Sequence, residues 1–201
     1  MRYDFLIETY ASERIKVLSV WSMFNENDLP WRPPDPLKRG RSVLEQMVHQ
    51  CVSEDLWFKN MLGLDLGRNP LPAQETRLQF LHIYAESSKE RLSFLQNQND
   101  AWWEAETRFF ALPRSRAWVM TRRMTHTSHH RGQLTAYLRM HCRELHSTYG
   151  PTSDTGGLMA NNAAVVYPYD NVESLLRSES QGGQKNVLPG IPSDKPCTER
   201  P

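Results

Sequence analysis

The 201-residue sequence predicts an all-α protein built on a four-helix bundle. Four long stretches carry apolar residues at three- and four-residue spacing, which is the pattern of amphipathic helices. Proline- and glycine-rich links separate these stretches, and no segment shows a convincing strand pattern. Hydrophobic residues make up 39% and charged residues 23% of the chain. This composition is ordinary for a folded protein, and the length allows one domain with a sizeable core.

The first two helices are predicted over about residues 3–25 and from Ser42 to near Gly63 and Gly67. The link between them contains four prolines from Pro30 to Pro36, which exclude a helix there. Ser42 and Glu45 have the spacing of a capping box, in which each side chain bonds the backbone amide of the other residue. The link is long enough to cross over the bundle.

The third and fourth helices are predicted over about residues 74–96 and 115–141, with Ser115 as a plausible N-cap. An aromatic-rich passage over 102–110 lies between them and is expected to pack over the bundle. Residues 1–144 are therefore assigned to the bundle and residues 145–201 to an irregular C-terminal extension. The extension holds six of the ten glycines and six of the thirteen prolines. Its apolar residues predict that it packs on the bundle, with one short helix near residues 172–177.

Several classes of protein are not expected from this sequence. The N-terminal stretch has acidic residues within its apolar run, unlike a signal peptide, and no segment has the ~18 apolar residues of a membrane span. Cys51, Cys142 and Cys197 are odd in number and scattered, which fits reduced thiols in a cytoplasmic protein. The net charge of +1 gives no general attraction to nucleic acid or membranes.

Three histidines form the candidate site. His126 and His130 are four residues apart in the fourth helix, so their side chains point the same way and can bind one ion. His129 points elsewhere, which leaves the pair His126 and His129 as a fallback. This spacing alone fits solvated histidines as well. His49 favours the metal-site interpretation because it lies on a partly apolar face of the second helix, where a buried imidazole needs a partner.

These residues carry a family resemblance. The run EQMVHQ, with His49, is followed about eighty residues later by His126-x-x-x-His130-Arg-Gly-Gln-Leu and then Leu-Arg139. Over residues 3–143 the chain resembles the DinB-like superfamily. The resemblance implies a four-helix bundle with a long crossover, whose second and third helices run parallel. It also implies a homodimer, and one divalent metal ion, zinc or nickel, bound by His49, His126 and His130.

Relatives in that superfamily include S-transferases that act with bacillithiol and isomerases that depend on mycothiol. The resemblance therefore implies a small-molecule thiol and an electrophile as substrates. Three neutral ligands also leave a coordination position open, whereas structural zinc sites usually have four protein ligands. Such an ion lowers the pKa of bound water to about 7, or stabilises a thiol as its thiolate.

Three functions are compatible with this site. The resemblance favours a metal-dependent transferase that activates a low-molecular-weight thiol. The alternatives are a non-catalytic metal-binding stress-response protein and a metal-dependent hydrolase. The hydrolase is disfavoured because no carboxylate is well placed as a general base. The nearest, Glu54, is predicted to lie on a different helix face from His49.

Other residues near the motif have candidate roles. Gln133 and Tyr137 follow the last histidine of the motif by three and seven residues, so both extend its face and are candidate catalytic residues. Helix packing is the alternative for each. Glu45 lies one turn before the histidine of the second helix and could orient it, or could act only as a cap. Gly132 costs about 1 kcal/mol in a helix interior, which indicates either a close backbone approach or simple tolerance.

The fourth helix region is strongly basic. From Thr107 to Arg143 there are eight arginines and no acidic residue. One interpretation pairs these arginines across the bundle with Glu8, Glu13, Glu54, Asp55, Glu86 and Glu90. The other is that Arg122, Arg123 and Arg131 bind the carboxylates of an anionic thiol cosubstrate near the metal.

Overall fold

The computed structural model describes residues 2–190, and most of them are helical. The long helices are α1 (Asp4–Ser22), α2 (Val43–Trp57), α3 (Arg77–Gln96) and α5 (Arg116–Met140). There are also two short α-helices, α4 (Asp100–Glu104) and α6 (Val172–Glu179), and two strands, β1 (Glu106–Phe109) and β2 (Leu112–Ser115). Single 3-10 turns occur at Glu26–Asp28, Ser153–Thr155 and Met159–Asn161. The predicted predominance of helix is confirmed.

The helix starts follow the capping signals. The Ser42 hydroxyl accepts a hydrogen bond from the Glu45 amide at 3.1 Å, and the Ser42 amide donates to the Glu45 carboxylate at 2.6 Å. The Ser115 hydroxyl accepts from the Trp118 amide at 3.2 Å. Helix α2 continues into one π-helical turn, Phe58–Leu62, and ends at Gly63, whose φ of 83° suits glycine. These boundaries confirm the predicted caps.

The aromatic passage over 102–110 begins in α4 and continues into a β-hairpin, so the prediction of a chain without strands is wrong there. Strand β1 pairs antiparallel with β2, and Phe109 lies opposite Leu112. The turn places Phe110 at a φ of 53°, a left-handed conformation that a bulky residue seldom adopts. The hairpin contacts α5 and the π-helical turn.

The long helices pack around two apolar clusters. Helix α1 contacts α3 and α5, and α2 contacts α5 and, less extensively, α3. One cluster includes Leu6, Ile7 and Tyr10 of α1 and apolar residues of the π-helical turn. The other includes apolar residues from the second half of α1, the segment just after it, and the first half of α2. A layer of buried polar side chains lies between the clusters. We call this layer the polar belt; it consists of Glu13, Arg14, Glu54, Ser87, Ser88, Arg91, Arg123, Thr127, His130 and Arg131.

The described part of the extension lies against the long helices. Helix α6, close to the predicted position, contacts α1 and α3. Its buried Glu179 carboxylate binds Arg77 at 2.6 Å and Lys185 at 2.9 Å, and accepts a hydrogen bond from the Tyr169 hydroxyl. The expectations for residues 191–201, including Cys197, concern a segment outside the described residues.

Two further expectations concern the cysteines and membrane-spanning helices within residues 2–190. Cys51 is buried and Cys142 is exposed, and both are free thiols. Within this range no helix combines the length and the apolar character that a membrane crossing requires.

Candidate metal centre

The three predicted histidines come together where α2 packs against α5. His49 Nε2 lies 3.0 Å from His130 Nε2, and His130 Nε2 lies 3.1 Å from His126 Nε2. Nitrogens bound to zinc at about 2.0–2.1 Å are separated by roughly 2.8–3.4 Å for bond angles between 90° and tetrahedral. The observed separations fall in that range, so this group could hold one metal ion.

The hydrogen bonds around His130 favour a cation over a purely hydrogen-bonded cluster. Gln46 Nε2 donates to Gln133 Oε1 at 2.9 Å, and His130 Nδ1 lies 2.9 Å from the same oxygen. Because that oxygen is an acceptor, His130 Nδ1 carries the proton and its Nε2 presents a lone pair. Two other imidazole nitrogens approach this single lone pair. A cation at the meeting point would satisfy all three nitrogens.

The electrostatic environment keeps these imidazoles neutral, which is the form that binds metals. Burial, with the nearby positive charge of Arg123, lowers the pKa of His126 to about 3. Burial also lowers the pKa of His130 to about 4. The pKa of His49 is lowered by burial and by the charges of Arg41 and Arg123.

An aromatic wall borders the histidines on one side. The ring of Trp57 stacks on His126 with centroids 5.8 Å apart and an interplanar angle of 17°. Phe109 of the hairpin packs edge-on against Trp57 at 5.2 Å. The Arg123 guanidinium lies 5.4 Å from the Trp57 ring centroid. The end of α2 and the hairpin together therefore hold the His126 ring in place.

A cavity of about 650 Å³ opens beside His49. Its walls come from the connector before α2 (Arg32 and residues 38–41), from Leu44, Val48 and Val52 on α2, and from Glu75. This volume lies within the usual range for small-molecule sites. Of the three histidines, His49 lines this cavity, so a ligand in the cavity would lie beside the candidate metal centre.

The two candidate catalytic residues make different contacts. Gln133 bonds His130, as described above, so its contact is with the imidazole itself. The Tyr137 hydroxyl donates to the Arg41 carbonyl at 3.2 Å, and its ring packs against Trp31 at 5.2 Å. Tyr137 belongs to the apolar core. A catalytic role for either residue stays a prediction.

The other expectations near the motif have mixed outcomes. The Glu45 carboxylate accepts from the Ser42 amide and from Arg32 at 3.0 Å, and among residues 2–190 it makes no hydrogen bond with His49. His129 is exposed and does not belong to the three-histidine group. A Cβ atom on Gly132 would meet nothing within 4 Å, so of the two alternatives a close backbone approach is wrong and simple tolerance fits.

The three arginines proposed to bind a cosubstrate have separate environments. Arg131 pairs with Glu13 at 2.5 Å and also bonds the Tyr149 hydroxyl. Arg123 is buried and donates to Ser53 at 2.9 Å. Arg122 is exposed. Arg131 therefore fits the interpretation in which the arginines pair with acidic residues across the bundle. Arg123 lies beside the histidines, and among residues 2–190 no carboxylate bonds it directly.

Three residues of the site were not identified from the sequence, namely Gln46, Trp57 and Arg41. Gln46 and Trp57 lie three residues before and eight residues after His49, which places all three on one face of α2. That periodicity was available in the sequence. The position of Arg41 depends on how the connector folds, and no local pattern indicates it.

Helices α2 and α5 bring three imidazoles to one point. The fold and this site together define a helical protein with a candidate metal centre. The sequence model of the DinB family matches residues 6–156. The chain therefore belongs to the DinB family, and the match extends beyond residue 144. No curated protein matches the sequence.

Two solved structures support the fold. A DinB-like protein from Bacillus cereus ATCC 10987 aligns with a TM-score of 0.63 and 15% identity, covering 72% of this chain and 95% of that one. A DinB-like protein from Bacillus subtilis aligns with a TM-score of 0.56 and 15% identity, covering 69% and 92%. At this level of identity, the likeness concerns the fold alone.

Proposed function

We propose that His49, His126 and His130 bind one divalent metal ion, zinc or nickel, and that the protein is a metal-dependent transferase for a low-molecular-weight thiol. The observation that carries the proposal is the convergence of three Nε2 atoms, with separations of 3.0 and 3.1 Å, beside an open cavity. When bound, such an ion supplies Lewis acidity and lowers the pKa of a ligand that it coordinates.

The chain's own residues would prepare this reaction in two ways. Gln133 holds the Nδ1 proton of His130 and so directs the Nε2 lone pair of that ring toward the other two histidines. Trp57 stacks on His126 and covers one side of the site, and Leu44, Val48 and Val52 would give the ligand position an apolar side. Both features favour a fixed, partly dehydrated ligand position, in which electrostatic effects are strong.

The first experiment is elemental analysis of the freshly purified protein and of a His130→Ala variant. We expect about one zinc or nickel per chain in the wild type and loss of most of it in the variant. The exposed His82 provides the matched control, since His82→Ala should keep the metal. Equal metal content in all three proteins would contradict the site.

The second experiment measures turnover of a chloro-nitrobenzene substrate with a panel of small thiols. We expect thiol-dependent turnover by the metal-loaded wild type and a loss of at least about 100-fold in His130→Ala, since the activating ion is lost. A metal-loaded protein without turnover for any thiol would favour the non-catalytic stress-response alternative. Hydrolytic turnover without thiol would favour the hydrolase.

The hydrolase alternative gains little support from the surroundings of Glu54. This carboxylate is 1% exposed and accepts hydrogen bonds from Tyr10 at 2.5 Å and Tyr84 at 3.0 Å. It is therefore committed to the polar belt and is not placed to accept a proton from water near the histidines.

The proposal includes the wider organisation. Residues 1–144 would form a DinB-type four-helix bundle with a long crossover, residues 145–201 would be its extension, and two chains would form a homodimer. The pairwise contacts of the four long helices support the bundle. The cytoplasmic location and the absence of nucleic-acid partners stay predictions from composition and charge.

A further inference from the structure

The cavity beside His49 has an uneven distribution of charge. Four cationic side chains line it, Arg32, Lys38, Arg39 and Arg41, against the two carboxylates of Glu45 and Glu75. A cavity with this balance attracts anions more than neutral molecules or cations. An anion would bind to those cations that have no other partner.

Two of the four cations already have carboxylate partners. Arg32 binds Glu45 at 3.0 Å and also donates to the Gly40 carbonyl at 3.0 Å. Arg39 binds Asp35 at 2.8 Å. These arginines brace the connector against itself and against the first turn of α2. They have little capacity left for a ligand.

Arg41 and Lys38 differ from them. Across residues 2–190, neither side chain has a hydrogen bond or an ion pair, and both are exposed to the cavity and solvent. Both side chains line the same cavity as His49. An unpaired guanidinium therefore lies in the wall of a cavity that also contains a candidate metal ligand.

The backbone of Arg41 is held firmly although its side chain is free. Its carbonyl accepts a hydrogen bond from the buried Tyr137 at 3.2 Å. The next residue, Ser42, is the N-cap of α2 and is fixed by the capping box. A guanidinium on an ordered backbone loses less conformational entropy on binding than one on a loose loop. Guanidinium geometry also suits a carboxylate, which it binds through two parallel hydrogen bonds.

We propose that Arg41, with Lys38 in the same wall, binds a carboxylate of the small molecule that reaches the three histidines. Arg41 would thus be a specificity-determining residue that selects anionic substrates. The role of this carboxylate site in substrate selection rests on the proposed function. The carboxylate site itself can be tested without metal, so the two proposals can fail separately.

The first test uses the metal-free full-length protein and propionate as the probe. Propionate binding is followed by NMR through the methyl signals of Leu44, Val48 and Val52, which line the cavity. We expect saturable shifts in the wild type and a loss of saturation in Arg41→Ala. Arg177→Ala should bind propionate as the wild type does. Arg177 is the matched control because it is an exposed arginine on α6, outside the cavity wall.

The second test uses protein loaded with cobalt(II) and compares two thiols of similar size, 3-mercaptopropionate and 2-mercaptoethanol. Binding is read from the visible absorption of cobalt. We expect the wild type and Arg177→Ala to prefer the carboxylate-bearing thiol by roughly three- to tenfold, and Arg41→Ala to lose most of that preference. The preference should shrink in 0.5 M salt, because exposed charges are screened.

The outcomes are distinct. Saturable propionate binding that depends on Arg41, in a protein that fails to bind cobalt, would uphold the carboxylate site and overturn the metal proposal. Absence of saturable binding in the wild type, or identical binding in Arg41→Ala, would overturn the carboxylate site. In the cobalt experiment, an unchanged preference in Arg41→Ala would also overturn it, whatever the metal content.

Discussion

Gln133 determines which nitrogen of His130 faces the other two histidines. Its Oε1 receives hydrogen bonds from Gln46 Nε2 and from His130 Nδ1, both at 2.9 Å. The amide thus fixes the tautomer and the orientation of the ring, in the way that outer residues orient metal ligands in proteins. Gln46, which is 2% exposed, holds the amide in turn. This contact gives Gln133 a positioning role independent of any contact with substrate.

Replacement of Gln133 by Ala should weaken metal binding by about 10- to 100-fold, because His130 loses the acceptor for its Nδ1 proton. The dissociation constant can be measured by competition with a chromogenic chelator. Gln79→Ala is the matched control, since Gln79 is exposed on α3. An affinity unchanged within twofold in Gln133→Ala would show that the hydrogen bond does not orient the ring.

The histidine pKa values predict how the metal-free protein responds to acid. In the folded state the pKa is lowered to about 3 for His126 and to about 4 for His130, against about 6.5 in an unfolded chain. Between these values the unfolded state binds more protons, so the free energy of unfolding rises with pH. The contribution is complete above about pH 7 and is lost as the pH falls toward 4.

This pH dependence can be separated from that of the carboxylates by comparing variants. We expect urea unfolding of the metal-free protein between pH 4 and 7 to show a shallower pH slope for His126→Ala than for the wild type. His82→Ala, a change at an exposed position, should keep the wild-type slope. Identical slopes in His126→Ala and the wild type would mean that His126 titrates normally.

Gly132 is a second residue at which the structure predicts a change in stability. It lies in the interior of α5, is exposed, and has open space where a Cβ would be. Gly132→Ala should raise the free energy of unfolding by about 0.5–1 kcal/mol, because alanine has the higher helix propensity. Gly63→Ala should lower it, because the φ of 83° disfavours a side chain. Chemical unfolding of both variants tests the pair, and a loss of stability in Gly132→Ala would contradict the prediction.

At the scale of elements, the buried carboxylate of Glu54 connects three helices. It belongs to α2 and accepts hydrogen bonds from Tyr10 of α1 and Tyr84 of α3, at 2.5 and 3.0 Å. Arg91 of α3 lies 3.7 Å away. Burial, together with the negative charge of Glu54, raises the pKa of both tyrosines well above the usual value. Both hydroxyls therefore remain protonated donors to the carboxylate.

Glu54→Leu should lower the free energy of unfolding by about 3–5 kcal/mol, because two buried hydroxyls and a buried guanidinium lose their common partner. Glu54→Gln keeps an acceptor oxygen and should be less destabilising. Urea unfolding of the two variants measures the difference. If the Glu54→Leu variant proved as stable as Glu54→Gln, the hydrogen bonds to this carboxylate would not be what holds these helices together.

The sequence predicted the helices well because their ends carry local signals. Ser42 with Glu45 and Ser115 cap helices through contacts within four residues, and such contacts can be seen in the sequence. The hairpin was missed because its turn, around Phe110, contains no Asn-Gly or Asp-Gly pair. Local sequence patterns could not identify the partner of Arg131, because Glu13 lies 118 residues away from it in the chain. A count of arginines indicates charge, but only the tertiary structure decides which guanidinium stays unpaired.

At the scale of the whole molecule, the candidate metal centre lies at the level of the polar belt, between the two apolar clusters. Burying so many charged and polar groups there is expensive unless each finds a partner. Most belt residues find theirs within the protein, as Glu13 does with Arg131 and Glu54 with two tyrosines. For the histidines, a metal ion would be the partner, and it would join α2 to α5.

Metal binding should therefore stabilise the entire fold, because the ion binds a site that the unfolded chain lacks. At a free metal concentration of about 100 times the dissociation constant, the gain is about 2.7 kcal/mol. For a chain of this size that corresponds to a rise in Tm of roughly 5–10 °C. Differential scanning calorimetry of metal-free and zinc-loaded protein measures it. His49→Ala removes the one ligand that α2 contributes, so this variant should show little rise while keeping both histidines of α5. An equal rise in His49→Ala would place the stabilising ion on α5 alone, or elsewhere, and would contradict the link between the two helices.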